Sequence, residues 1–156
     1  ISIVSYNYGA GKIKRLIQAI KIANVYAFTI MFFGFLLCQF IPEMILKIFD
    51  ASDNMLAIGI PALRIISFAF LIAPFCIVSS GTFQALGKGN FSLIISLVRQ
   101  LIVILPLSYL FAKIIGINGI WLAFPISEIV AGVLTVIFLK KLYNNDIMKR
   151  KRKKHK

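Results

Sequence analysis

Apolar residues occur along this chain in four long runs that lack the alternation typical of a β-strand. The runs cover residues 22–41, 58–80, 91–111 and 120–139. Each is about 20 residues long, which as an α-helix spans the roughly 30 Å hydrocarbon core of a bilayer. Because no water is available there, backbone N–H and C=O groups must pair within each run, as they do in a helix. The pattern predicts four transmembrane helices and an all-α, polytopic membrane bundle.

The loops between these runs alternate between rich and poor in Lys and Arg. Of the 18 basic residues, nine follow the last run and four lie within residues 12–21. Short loops rich in Lys and Arg stay in the cytoplasm. We therefore expect the Lys88 loop inside, and the loops with Lys47 and Lys113 outside. The predicted organisation is the end of a preceding helix plus a cytoplasmic interfacial linker (1–21), four transmembrane helices (22–139) and a basic cytoplasmic tail (140–156).

The net charge of +13 is concentrated at the C-terminal end of the chain. A nucleic-acid-binding protein would carry such charge with interleaved aromatic residues, and the tail after Leu139 shows no such pattern. A polybasic segment next to a membrane helix is attracted to anionic lipid headgroups, by about 1 kcal/mol per charge near the surface. We expect membrane lipid, and no nucleic acid, as the partner of the tail.

Residues that support metal or enzyme chemistry are sparse. Cys38 and Cys76 both lie inside apolar runs, where cysteine is typically a small packing residue, and His155 is the single histidine. The five acidic residues are scattered, without the spacing of a metal site. We expect no resident cofactor or metal and no enzymatic activity. An integral membrane enzyme remains an alternative that would need converging catalytic groups at one depth.

Residues 1–21 lack the charged segment followed by a short apolar core that is typical of a signal peptide. We expect residues 1–6 to be the inner end of an earlier transmembrane helix, and further helices to lie upstream. In the linker that follows, apolar residues at helical spacing predict an interfacial helix over residues 12–21.

Several short motifs resemble those of one transporter family. The run from Ser5 to Lys12, with Tyr6, Asn7, Gly9 and Ala10, and then Arg15, resembles the loop after the eighth helix of multidrug and toxic compound extrusion (MATE) transporters. Three motifs downstream agree in order and spacing: Gln84-Ala85-Leu86-Gly87; Arg99-Gln100 with Pro106; and Gly116-Ile117-Asn118-Gly119-Ile120-Trp121 with Pro125.

This resemblance implies that the chain supplies helices nine to twelve of a twelve-helix antiporter built from two six-helix lobes. Such a protein exchanges lipophilic, often cationic, compounds for protons or sodium ions by alternating access. The implied partners are the missing N-terminal lobe and the transported compound, and the implied location is the plasma (cytoplasmic) membrane of a bacterium. Alternatives are a polysaccharide or lipid-linked oligosaccharide flippase of the same superfamily and a non-transporting membrane subunit.

The chain departs from this family in one respect. Some members carry an acidic residue in the tenth helix for cation coupling, whereas residues 58–80 contain no Asp or Glu. The resemblance therefore implies that the coupling carboxylates lie in the missing first lobe.

Two charged residues fall near mid-depth in the membrane. Arg99 lies eight residues after Phe91, which places it about 12 Å from the inner edge of the membrane. Glu128 lies eight residues after Ile120, which places it about 12 Å from the outer edge. The short connection over residues 112–119 predicts that the third and fourth helices are antiparallel neighbours. An intramembrane charge normally finds a partner, so we expect an Arg99–Glu128 pair.

Helical spacing places both residues on polar stripes, with Gln100 beside Arg99 as a further candidate member of the network. Arg99 has the alternative of extending to the inner headgroups along its flexible stem. Glu128 has the alternatives of a protonated structural hydrogen bond or a direct role in substrate or ion binding.

Pro74, Pro106 and Pro125 lie inside the predicted helices. Proline lacks an N–H and crowds the preceding turn, so each predicts a kink, and in transporters a kink can line a cavity or act as a hinge. Pro125 is the strongest candidate, because it lies one turn from Glu128. Trp121, near the outer end of the same helix, is interpreted as an interfacial anchor.

Overall fold

The computed structural model describes residues 1–144, and all of its regular elements are helices. The elements are α1 (Ser2–Gly9), α2 (Ile13–Phe40), α3 (Pro42–Ile48), α4 (Asp53–Ile66), a 3-10 helix (Ser67–Leu71), α5 (Ala73–Ala85), α6 (Gly89–Leu97), a π-helix (Val98–Ile104), α7 (Leu105–Ile115) and α8 (Ile117–Leu142). Four segments are long and apolar enough to cross a membrane: Ile13–Phe40, Asp53–Leu71, Gly89–Ile115 and Ile117–Leu142. The predicted all-α membrane bundle is confirmed.

The predicted linker and first transmembrane helix form one structure. Helix α2 runs without interruption from Ile13 to Phe40, so residues 13–21 continue directly into the membrane segment instead of forming a separate interfacial element. The reason is local, since this stretch has no proline and no glycine before Gly34. The predicted basic tail begins within α8, which ends at Leu142, and its remainder from residue 145 lies outside the described residues.

The predicted second transmembrane helix, 58–80, is divided in two. Helix α4 ends at Ile66, a 3-10 helix follows to Leu71, and α5 starts at Ala73 with Pro74 in its first turn. Proline fits the first turn of a helix, where its missing N–H leaves no bond unmade, and it cannot continue the preceding turn. Pro74 thus starts a new helix rather than kinking a continuous one.

The third segment is also irregular, because a π-helix of seven residues separates α6 from α7. Pro106 lies in the first turn of α7, immediately after this π-helix. The fourth segment, α8, is continuous over 26 residues, with Pro125 inside it.

One end of the bundle, which we call the basic end, contains the last turn of α8 and two tight turns. The tight turns connect α1 to α2 and α5 to α6. In the first turn Gly11, with φ of 66°, lets Lys12 N–H donate to the Asn7 carbonyl at 2.8 Å. In the second, Gly87, with φ of 71°, allows the same bond from Lys88 to Phe83, also at 2.8 Å. These are Schellman turns, which favour glycine at the left-handed position.

The apolar core lies near the basic end and joins α1, α2, α5, α6 and α8. Leu16 and Phe83 are fully buried in it, and the Phe83 ring meets Phe91 edge to face. The long outer face of α2 is exposed instead, and Leu16 is its single fully enclosed residue among those described. Most of the bundle surface is therefore apolar, as expected of a protein in contact with lipid or further helices.

The turn between α7 and α8 depends on two glycines. Gly116 has φ of 85° and ψ of −158°, a conformation that is essentially restricted to glycine. At Gly119, an added Cβ would lie 2.5 Å from the Phe111 carbonyl oxygen, so the two helices touch through backbone there. This close approach makes α7 and α8 antiparallel neighbours.

We expect Gly119→Ala to lower the free energy of unfolding by about 1–3 kcal/mol, because the Phe111 backbone must move to admit the methyl group. The measurement is the thermal stability of the detergent-solubilised protein by size-exclusion chromatography. Gly89→Ala is the matched control, since no atom lies within 4 Å of its Cβ position. Equal stability of the two variants would contradict the close approach.

Candidate functional site

The structure brings Arg99 and Glu128 together inside the bundle. Arg99 Nη1 lies 2.8 Å from Glu128 Oε1, and the side chains are 30% and 12% exposed. The bond links the third membrane segment to the fourth. An unpaired charge inside the membrane costs about 2.5 to 3.5 kcal/mol on insertion scales, so the pairing removes a large penalty from both residues.

The π-helix sets the position of Arg99, which is its second residue. A π-turn is wider than an α-turn and rotates the residues that follow it, and such turns are frequent at functional sites. On the other side of the pair, Glu128 lies one turn beyond Pro125, whose missing N–H leaves the Trp121 carbonyl without its usual helical donor. The ion pair therefore joins two locally irregular helices.

Further buried polar atoms lie along α8, the helix of Glu128. Glu128 Oε2, Thr135 Oγ1 and Trp121 Nε1 are all buried and have no hydrogen-bond partner among the described residues. The Cys76 thiol lies beside Glu128 and Thr135, and Ser127 Oγ donates to the Phe124 carbonyl at 2.6 Å. Buried donors and acceptors normally find partners, so each of these atoms has capacity for a further hydrogen bond.

A second polar contact supports the break between α4 and α5. Gln39 Nε2 donates to the Arg64 carbonyl at 2.8 Å and to Ser67 Oγ at 2.9 Å, and Ser67 Oγ donates to the same carbonyl. A helix interrupted within a membrane needs side chains that satisfy its released backbone groups. Gln39, from α2, does this for the 3-10 segment.

The remaining predicted residues of the site are not brought together. Gln100 is exposed and, within residues 1–144, makes no hydrogen bond with the pair, because one residue along the helix turns it away from Glu128. Pro106 is exposed, whereas Pro74 is buried. Of the three prolines, Pro125 is on the helix of Glu128 and closest to it in sequence.

The predicted loop motif is largely helical. Tyr6, Asn7 and Gly9 belong to α1, and Arg15 belongs to α2, so Ala10 is the motif residue that lies in the turn. Ala10 N–H donates to the Tyr6 carbonyl at 2.9 Å, and Asn7 Nδ2 donates to the Ile3 carbonyl at 2.8 Å. Helix α1 thus ends at Gly9, three residues beyond the helix end expected over residues 1–6. Tyr6 and Arg15 are exposed, and Asn7 is buried.

Comparison with known proteins places this architecture in a family. The family model MatE matches residues 1–110. The chain belongs to the MatE family. The resemblance first seen in its motifs is thus confirmed.

Two solved structures share the fold of this MatE chain. A structure named "protein A" is 34% identical, with a TM-score of 0.78 over 89% of this chain and 31% of its own length. The other is an inward-facing conformation of a multidrug resistance MATE family transporter of the MOP superfamily. It is 24% identical, with a TM-score of 0.74 over 97% of this chain and 34% of its own length.

The MatE chain spans about a third of the length of these two structures. No curated protein matches it in sequence. It is a membrane-integral helical protein of the MatE family, and its fold agrees with that of a MATE transporter.

Sequence reasoning missed the contact of Gln39 with the helix break and gave Trp121 a different role. Gln39 had no recognisable signal, because its role depends on a helix break about 25 residues away in the sequence. Trp121 was interpreted as an interfacial anchor, whereas its indole nitrogen is buried and lies on α8, the helix of Glu128. Its position on the stripe of Pro125 and Glu128 was the available signal.

Breaking the ion pair should cost more than removing it entirely. We expect Arg99→Met and Glu128→Gln each to destabilise the protein. The first leaves the Glu128 carboxylate, and the second leaves the Arg99 guanidinium, without its opposite charge in the membrane. In the double variant part of this loss should be recovered, with a coupling energy of about 0.5–3 kcal/mol. The measurement is a double-mutant cycle on thermal stability of the complete protein.

Arg64→Met is the matched control for this cycle, since Arg64 lies in a membrane segment with an exposed side chain. We expect it to have little effect on stability. Strict additivity of Arg99→Met and Glu128→Gln would show that the contact contributes nothing.

Proposed function

We propose that this chain is part of a secondary transporter that exports lipophilic, often cationic, compounds in exchange for protons or sodium ions. The observation that carries the proposal is the MatE match over residues 1–110. The fold of the chain supports it, because two of the four membrane segments contain a break or a π-helix. Such irregular segments line sites and act as hinges in secondary transporters.

In this proposal the chain supplies moving helices rather than the coupling site. Glu128 already has one oxygen bonded to Arg99, and an acid neutralised by an arginine is a poor carrier for an exchangeable cation. The segment 53–85 contains Asp53 as its single acidic residue, at its outermost end. The carboxylates that bind the coupling ion then lie in the remainder of the protein, as do the helices that complete the transport pathway.

The test is efflux of a fluorescent lipophilic cation from a pump-deficient bacterial host that expresses the complete protein. We expect efflux that collapses when the proton or the sodium gradient is dissipated, which also names the coupling ion. In Glu128→Gln, efflux per folded molecule should fall while its gradient dependence remains, because the pair positions helices and does not carry the ion.

Loss of gradient dependence in Glu128→Gln would instead make this carboxylate part of the coupling site. Absence of efflux from a well-folded complete protein would favour a flippase for lipid-linked oligosaccharides over a drug exporter.

The proposed orientation places the basic end and the C-terminus in the cytoplasm of a bacterial plasma membrane. It rests on the excess of Lys and Arg at that end over the opposite end, where Lys47 and Lys113 lie. We expect a fluorescent protein fused to the C-terminus of the complete protein to mature, and an alkaline phosphatase fused there to stay inactive. The reverse result would invert the topology.

A further inference from the structure

Helix α3, at the end of the bundle opposite the basic end, has three faces of different character. One face packs on α4, where a Cβ added to Gly59 would lie 2.8 Å from Leu46 Cδ1. The second face carries the Glu43–Lys47 pair, whose two side chains are more than half exposed. The third face is apolar and also exposed. A short helix with one charged and one apolar exposed face is typical of a membrane–water interface.

The apolar face of α3 consists of Met44 and Ile48, and it continues an exposed stripe on α2. Ile30, Phe33 and Phe40 recur on one side of α2, and Met44 and Ile48 follow Phe40 at intervals of four residues. All five residues are between 62% and 78% exposed. Residues 22–40 include no buried residue, so the described part of the chain leaves this side of α2 uncovered. One apolar surface therefore extends from the membrane segment onto α3.

The depth of α3 follows from the position of the charged residues around α2. Residues 22–42 carry no charge and are flanked by Lys21 and Glu43. The part of α2 within this range, residues 22–40, is about 28 Å long, close to the roughly 30 Å of the hydrocarbon core. Helix α3 begins two residues later, at Pro42. It therefore lies at the membrane boundary, where its charged face has access to water.

The size of the side chains on this surface indicates lipid rather than another helix as its partner. Contact surfaces between membrane helices are rich in small residues, which let the backbones approach. Helix α8 follows this rule, because Ala123, Ser127, Ala131 and Thr135 recur every four residues and are at most 1% exposed. The five residues of the stripe on α2 and α3 are all large and apolar. They resemble a surface in contact with acyl chains.

We propose that α3 is an interfacial membrane anchor. Its Met44 and Ile48 side chains insert among the lipid acyl chains at the boundary, while Glu43 and Lys47 face the water. The packing of Leu46 on α4 fixes which way the two exposed faces point. The anchor holds the connection between α2 and α4 at one depth in the membrane, and this role does not depend on which compound the protein transports.

The experiment measures the depth of nitroxide spin labels on the complete protein, reconstituted in phosphatidylcholine vesicles. The labels are attached to Met44→Cys and Ile48→Cys, in a background whose native cysteines, Cys38 and Cys76 among them, are replaced by alanine. Collision rates with oxygen, which concentrates in the bilayer, and with a water-soluble nickel chelate give the depth of each label. We expect both labels to lie about 5–10 Å below the lipid phosphates.

Lys47→Cys is the matched control, because Lys47 lies between Met44 and Ile48 in sequence but on the charged face of the same helix. Its label should collide mainly with the nickel chelate. Phe33→Cys, on the α2 part of the stripe, gives the reference for a label deeper in the bilayer. All four side chains are exposed, so the labels need no repacking of the core. Each labelled protein is first checked for a monodisperse elution profile.

Two outcomes would overturn the proposal. If the labels at positions 44 and 48 collide with the nickel chelate as often as the label at position 47, α3 is an aqueous loop and does not enter the lipid. If they collide rarely with either reagent, another protein surface covers the apolar face. Magnetic coupling between labels on two molecules would then identify that surface as a second copy, and its absence would identify the remainder of the same protein.

Discussion

Polar groups inside a hydrocarbon layer must find their partners within the protein, and this constraint governs the bundle. At the break after Ile66, the Gln39 and Ser67 side chains donate hydrogen bonds to the Arg64 carbonyl. Arg99 and Glu128 satisfy the same requirement for charge. Irregular backbone and charged side chains therefore occur where a neighbouring helix supplies a partner, and that need fixes which helices are neighbours.

The Arg99–Glu128 contact also shows how a membrane pair differs from a surface pair. Glu43 and Lys47, one turn apart on α3, form an exposed pair at 2.6 Å, in which the Lys47 ammonium lowers the pKa of the Glu43 carboxyl. Water competes for both of those charges, so such a pair contributes little. In the membrane no such competitor exists, and separation of the charges is the costly event. A pair of this kind permits motions that keep the two helices together and opposes those that part them.

Much of the fold was predictable from hydropathy, because apolar run length and loop charge are local properties of the sequence. The Arg99–Glu128 pair was predictable for a similar reason, since depth follows from residue count and the 112–119 connection is short. The division of the second segment was not. Pro74 signals an irregularity, but whether a proline kinks a helix or starts a new one depends on the backbone before it, which here is a 3-10 helix bonded by Gln39 from α2. The sequence could not show which of the adjacent polar residues Arg99 and Gln100 faces Glu128, because both lie on the same polar stripe.

At the basic end, the residue that stops a helix is followed each time by a lysine: Gly11 by Lys12 and Gly87 by Lys88. The backbone bond that completes each Schellman turn is donated by the N–H of that same lysine. One dipeptide thus combines a conformational function with a charge that bears on membrane orientation. Insertion or deletion of a single residue there would separate the two, so these connections have little freedom to change in length even though they lie at the surface.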